Sequence, residues 1–236
     1  MENTEIDKED GPKIFIKQLL KLKKQQPDVF HQQAILDEIL TFIVAGTETT
    51  ALTLSWTLLM IAMHPEVEKK IMNELDHVLR HSDDITYEDT LELNYLEQVI
   101  KESLRVYTFS PVFLRKTTGE VKLRNFVIPN GVTLAIDIHN LHRREDCYKE
   151  PDTFNPDHFA PTADNQRHLY SFLPFSGGPR NCLGMRYSWI SMKVQLAHIL
   201  RKFKVTTDLK RDELRLKLSI VLKLDNKHMI RLEPRF

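Results

Sequence analysis

Phe175-Ser-Gly-Gly-Pro-Arg-Asn-Cys-Leu-Gly184 sets two adjacent glycines and a proline ahead of one cysteine, Cys182, a composition that bars regular structure. Beyond it, Met185, Trp189, Met192, Leu196, Ile199 and Phe203 recur every three or four residues, the spacing of a buried helical stripe. The stretch therefore predicts a loop that delivers Cys182 to the mouth of a helix. At such a mouth, unpaired N–H groups and the positive end of the helix dipole favour a thiolate over a thiol. A thiolate so placed is a metal ligand or a nucleophile; a lone cysteine without that setting is a small buried hydrophobe.

Working outward, the 236 residues suit one or two domains with a substantial core. The 33 basic and 33 acidic residues cancel, which leaves no electrostatic footprint for nucleic acid. Cys147 and Cys182 are the two cysteines, far apart in sequence, so a disulfide framework is not expected and a reducing compartment is. Cys147, in Arg143-Arg-Glu-Asp-Cys147-Tyr148, reads as a bystander thiol. The polar, acidic N-terminus has neither the basic nor the apolar region of a signal peptide and offers no anchor. Ile39 to Met63, with Glu48 as its single charge, is long enough to span a membrane. Its threonines, Gly46 and the central Glu48 point instead to a buried core helix.

The order of elements predicts a mainly α chain with a small β-sheet. Residues 1–31 form a polar segment with a short helix from Ile14 to Leu22, and residues 32–236 form the folded portion. A long helix runs from Gln32 to Met63; Pro65 opens the next, Glu66 to Arg80. A helical piece from Thr86 to Leu93 precedes Asn94, the expected cap of a helix from Tyr95 to Tyr107. The period then changes to short strands, Val121 to Leu123 and Phe126 to Ile128, with the turn Pro129-Asn130-Gly131 leading into Val132 to Ile138. Residues 143–181 lack periodicity, yet Phe154, Phe159, Tyr170, Phe172 and Phe175 anchor them, which predicts an ordered meander ending at Cys182. Leu218 to Leu224 and Met229 to Leu232, flanking Asp225-Asn226, read as a terminal hairpin.

Phe-x-x-Gly-x-Arg-x-Cys-x-Gly, filled by Phe175, Gly178, Arg180, Cys182 and Gly184, resembles the haem-binding signature of the cytochrome P-450 family in every fixed position. The resemblance implies that Cys182 is the thiolate ligand of haem iron, that Phe175, Gly178 and Gly184 shape the cradle, and that Arg180 meets a propionate. Ala45-Gly-Thr-Glu-Thr-Thr50 resembles the family's oxygen-activating motif. On that resemblance Thr49 holds oxygen and its water, Glu48 relays protons, and Gly46 lets the helix open. Read from the residues alone, a buried carboxylate is paired or functional and the threonines back-bond to the helix.

Glu102-Ser-Leu-Arg105 is by spacing a helical ion pair, and by its place in the chain resembles the family's Glu-x-x-Arg motif. A Pro-x-Arg-Phe arginine completes that motif in the family. Here Phe154-Asn-Pro156-Asp-His158-Phe159 puts His158 there, a residue that can donate to Glu102 but lacks the planar fork of arginine. Arg115, after Ser110-Pro-Val-Phe-Leu114, resembles the strand position of a second propionate contact, and the same segment with Val44 and Ala45 would line the distal pocket. Ala45 stands where the omega-hydroxylase branch has an acidic residue, so a covalent link to haem is not expected.

The resemblance runs from Gln32 to Phe236, about the C-terminal half of a typical member, without the family's membrane anchor or distal helices. It implies a haem-thiolate monooxygenase of the animal microsomal, insect-like type, inserting one atom of O2 into an apolar small molecule. Electrons would come from NADPH-cytochrome reductase at the cytosolic face of the endoplasmic reticulum membrane. Lys193, Arg201, Lys202 and Lys204 form either a solvated face or a dock for that donor. Two alternatives stand beside it: a truncated remnant that binds haem poorly or not at all, and a cysteine-nucleophile hydrolase, for which His139, His142 and His168 show no pattern.

Overall fold

Proline placement and apolar spacing set the helices of the computed structural model, which describes residues 14–80, 82, 84–163, 167–219, 221–225 and 229–235. Residues 1–48 and 49–236 form two units. In the first, α1 (Phe15–Gln25) buries Leu19, and the Phe15 and Phe42 rings lie 4.4 Å apart. The helix α2 (Gln32–Met63) is unbroken through Gly46, so the opening expected there is not seen. Among the described residues it is also the one helix long and apolar enough to cross a membrane, and 11% of its most apolar window is buried. The core-helix expectation thus holds only for its last turns. Trp56 and Leu58 to Ala62 are buried, whereas Leu40, Ile43, Val44 and Glu48 are exposed.

In the second unit, Pro65 opens α3 (Pro65–Leu79), and Thr86 caps α4 (Tyr87–Glu92) through a reciprocal bond pair with Asp89. The next helix, α5 (Asn94–Val106), is not capped by Asn94. The Glu74 carboxylate of α3 accepts from the Tyr95 and Leu96 N–H groups at 2.6 and 2.9 Å, bringing a full negative charge to the positive helix end. Leu58, Ile61, Ile71, Leu75, Leu96, Ile100, Leu104, Met192, Leu196 and Leu200 make one core from α2, α3, α5 and α7 (Met185–Lys202). Burying a side chain of this kind contributes about 1.5–3 kcal/mol.

The strands form nested antiparallel pairs. The ladder β1 (Val112–Lys116) with β4 (Thr133–Asp137) sets Arg115 opposite Leu134 and encloses β2 (Val121–Lys122) with β3 (Val127–Ile128). A short α6 (Ile138–Leu141) follows, capped by Asp137. The expected terminal hairpin is rearranged. Its first run splits into β6 (Leu216–Leu218) and β7 (Leu222–Leu224), which pair with each other, while β8 (Arg231–Pro234) pairs with β5 (Phe203–Thr206) directly after α7. Leu222 and Val205 are buried and reward this arrangement; Asn226 of the expected turn lies outside the described residues.

Candidate functional site

The meander ends in a loop closed by the Cys182 N–H donating to the Phe175 carbonyl at 2.9 Å. Gly178 takes a φ of 79°, a left-handed conformation that glycine adopts without cost. A Cβ on Gly177 would stand 3.1 Å from the Tyr170 ring. Gly178 is therefore a conformational requirement of the loop, whereas a side chain at Gly177 would displace the exposed Tyr170 ring. The Phe175 ring packs edge-on against Trp189 at 5.6 Å and ties the loop to α7. Cys182 is exposed and lies two residues ahead of the N-cap Gly184, so it stands on the loop rather than within the first turn of the helix.

The ladder of β1 and β4 brings Arg115 to this loop, where its Nη2 donates to Ser176 Oγ at 2.7 Å and to the Arg180 carbonyl at 3.5 Å. Between ladder and loop lies a cavity of about 230 Å³, lined by Phe113, Arg115, Ile136 and Gly178 among others. Arg180 is exposed, as are Leu114 and Leu183, the latter at 81%. One exposed and one half-buried cation, Arg180 and Arg115, beside exposed apolar groups suit a flat apolar ligand with acidic edges. No three His, Cys, Asp or Glu side chains among the described residues are grouped to hold a metal ion. A single sulfur ligand fits a metal that arrives inside its own macrocycle, so the residues present fit haem.

Behind the loop, Glu102 and Arg105 are fully buried and joined by two bonds, Nε to Oε2 at 2.8 Å and Nη2 to Oε1 at 2.7 Å. Arg105 also donates to the carbonyls of His142, Pro151 and Thr153 at 3.0, 2.6 and 2.9 Å. Glu102 accepts from the Asn155 N–H at 2.8 Å, and its Oε1 lies 3.1 Å from His158 Nδ1. Burial alone raises the Glu102 carboxyl, but Arg105, His158 and the Asn155 N–H outweigh it and hold it below the ordinary value. Spacing taken alone reads this pair as a surface bridge; it is instead the joint between α5 and the meander. His158 thus stands in the predicted triad position, its other nitrogen 2.7 Å from the Lys149 carbonyl.

One further buried residue supports the same joint. His142, fully buried, accepts from the Leu173 N–H through Nε2 at 2.8 Å, which puts its proton on Nδ1. Burial first, then the charges of Arg105 and Arg143, lower it to about 3. The unfolded chain therefore binds a proton at this residue from about pH 6.5 downward that the folded chain refuses. Stability is full above that value and falls by roughly 1.4 kcal/mol per pH unit below it. Glu102 adds a loss of the same sign, but only below its unfolded value of 4.5. Urea midpoints between pH 7 and 5 are expected to fall steeply, and less so in His142→Gln; equal slopes for the two proteins contradict the assignment.

Lys193, expected on a solvated or donor-docking face, is buried and donates to the Thr90 carbonyl at 2.8 Å, with Glu97 beside it at 2.5 Å. The α7 stripe is rotated accordingly, toward Met192, Lys193, Leu196, Ala197 and Leu200. Arg201 donates to the Ser82 carbonyl at 2.7 Å, which leaves Lys202 and Lys204 as the exposed members of that set. A buried lysine inside an amphipathic helix carries no sequence signal distinct from a surface one.

On α2, Glu48 is exposed and Thr49 half-buried at consecutive positions. The buried-carboxylate argument for Glu48 does not apply. Threonine back-bonding does occur, from Thr53 Oγ1 to the Thr49 carbonyl at 2.9 Å and from Thr57 to Thr53 at 2.8 Å.

Comparison with known proteins adds an independent line. The family model described as Cytochrome P450 matches residues 1–232. Cytochrome P450 4g15 of Drosophila melanogaster is 36% identical over 204 residues, 85% of this chain and 36% of the relative. Cytochrome P450 4V2 is 35% identical over 231 residues in Mus musculus, 98% of this chain and 44% of that relative. The human protein of that name is 35% identical over 224 residues, 94% of this chain and 43% of the relative. The chain thus spans about two fifths of the length of the curated relatives it matches.

Proposed function

Because this chain belongs to the cytochrome P450 family, we propose that it is the haem-binding part of a monooxygenase that inserts one atom of O2 into an apolar small molecule. The observation that carries the reading is Cys182 exposed on a loop fixed from both sides, by its own N–H to Phe175 and by Arg115 to Ser176. Cys182 would supply the single protein ligand, as thiolate. Arg115 and Arg180 would neutralise the two propionates, Gly178 and Gly184 would keep the cradle clear of side chains, and Phe175 would brace it against Trp189. When bound, haem supplies the oxygen chemistry, which the thiolate tunes by electron donation.

The chain's own residues then hold, orient and move protons. Thr49, half-buried, would hold oxygen and a water through its hydroxyl, and the exposed Glu48 would relay protons. Glu102, Arg105 and His158 hold the meander so that the loop keeps its shape. NADPH-cytochrome reductase would be the electron donor, approaching a surface that retains Lys202 and Lys204 but not Lys193, and the setting would be the cytosolic face of the endoplasmic reticulum.

Reduction of the haem-loaded chain under carbon monoxide tests the reading. An absorption band near the wavelength that gives the family its name is the expected result. A band at the position of a neutral-thiol or imidazole ligand overturns it.

A further inference from the structure

Where α2 and α5 end, the second unit encloses a cavity of about 560 Å³ that shares no lining residue with the Cys182 loop. Its size falls within the range of small-molecule sites. Met60, Met63, Phe154 and Leu209 supply apolar wall. Tyr107, 7% exposed, lines it with a ring stacked on Trp56 at 4.1 Å, and its hydroxyl has no hydrogen-bond partner among the described residues.

The charges on the rim do not balance. Asp208 is taken by Arg231, Asp152 lies 3.7 Å from Arg143, and His64 Nδ1 faces the Met60 carbonyl at 2.8 Å. The Lys210 ammonium and the Arg211 guanidinium line the cavity with no ion pair to a carboxylate among the described residues, Glu213 accepting from the Lys210 backbone N–H at 2.8 Å. An apolar floor, one unpaired hydroxyl donor inside and two uncompensated cations at the mouth are complementary to one chemical class. We propose that this cavity binds a small amphipathic anion, an alkyl or aryl carboxylate, with its apolar body on the methionines and its charge between Tyr107, Lys210 and Arg211. The site is independent of the haem reading.

Calorimetric titration of the full chain with dodecanoate, and with dodecylammonium as the control of opposite charge, tests it. Dodecanoate is expected to saturate one site at least about tenfold tighter than dodecylammonium. The Lys210→Glu, Arg211→Glu double variant, changed only at exposed positions, is expected to abolish that preference. Tyr107→Phe, which keeps the stack on Trp56, weakens dodecanoate binding several-fold, and Cys182→Ser leaves it unchanged. Equal affinity for the two amphiphiles, or dodecanoate binding indifferent to the charge reversal, overturns the proposal.

Discussion

Arg105→Ala is expected to leave the second unit unfolded or close to it at neutral pH. The guanidinium satisfies five acceptor contacts at once, two on Glu102 and three on the carbonyls of His142, Pro151 and Thr153. Removing it leaves a carboxylate with no exposed surface facing only the Asn155 N–H and the His158 ring, and three carbonyls unmet. Breaking a buried pair from one side costs about 3–5 kcal/mol, and each stranded carbonyl adds about 1 kcal/mol or more. A domain of ordinary stability has about 5–15 kcal/mol in all. Glu102→Leu combined with Arg105→Met separates the two contributions, since it removes the stranded charge and leaves neutral groups unmet, the meander carbonyls together with the Asn155 N–H and the His158 ring. The double variant is expected to be more stable than Arg105→Ala and less stable than the parent. Urea midpoints measure the series, and a loss below about 1 kcal/mol for Arg105→Ala contradicts the account.

His158 bears on the same joint to a smaller degree. Its ring meets Glu102 at 3.1 Å, a contact that Asn155 and Arg105 already duplicate on the same carboxylate. The joint is therefore built mainly by Arg105 and the Asn155 N–H, with histidine as a third donor where the family pattern has an arginine.

What was legible in the sequence followed local rules. Pro65 and the 3.6-residue spacing located the helices because both act within a few residues, and the glycines and proline before Cys182 located its loop because a conformational demand such as that at Gly178 is local too. Pairings that skip along the chain were not legible. The expected hairpin joined neighbours in sequence, whereas β8 returns to β5. The same holds for charge. Glu74 caps a helix that Asn94 was expected to cap, and Lys193 turns inward to Thr90, because a carboxylate or ammonium on a long stem reaches partners that spacing cannot name. Burial of Glu102 was invisible for the opposite reason, since an i, i+3 pair reads alike on a surface and in a core.

Cys182→Ser is expected to remove the thiolate signature completely while leaving the fold nearly unchanged. The side chain is exposed, so its replacement by a smaller hydroxyl creates no buried void, and surface changes of this kind usually alter stability by no more than about 0.5 kcal/mol. The loop closure runs through the backbone N–H of residue 182 to the Phe175 carbonyl, which serine retains. Its shape is held by Gly178 and the Arg115–Ser176 bond, neither of which involves sulfur. A serine hydroxyl is not deprotonated near neutral pH and gives no electron-rich ligand, so the carbon monoxide band of the reduced, haem-loaded variant is expected away from that of the parent. Urea midpoints should coincide within error. Unfolding of the variant would make Cys182 structural, and an unchanged spectrum in a folded variant would transfer the ligand role away from it, because the sulfur is the one atom that the two loops do not share.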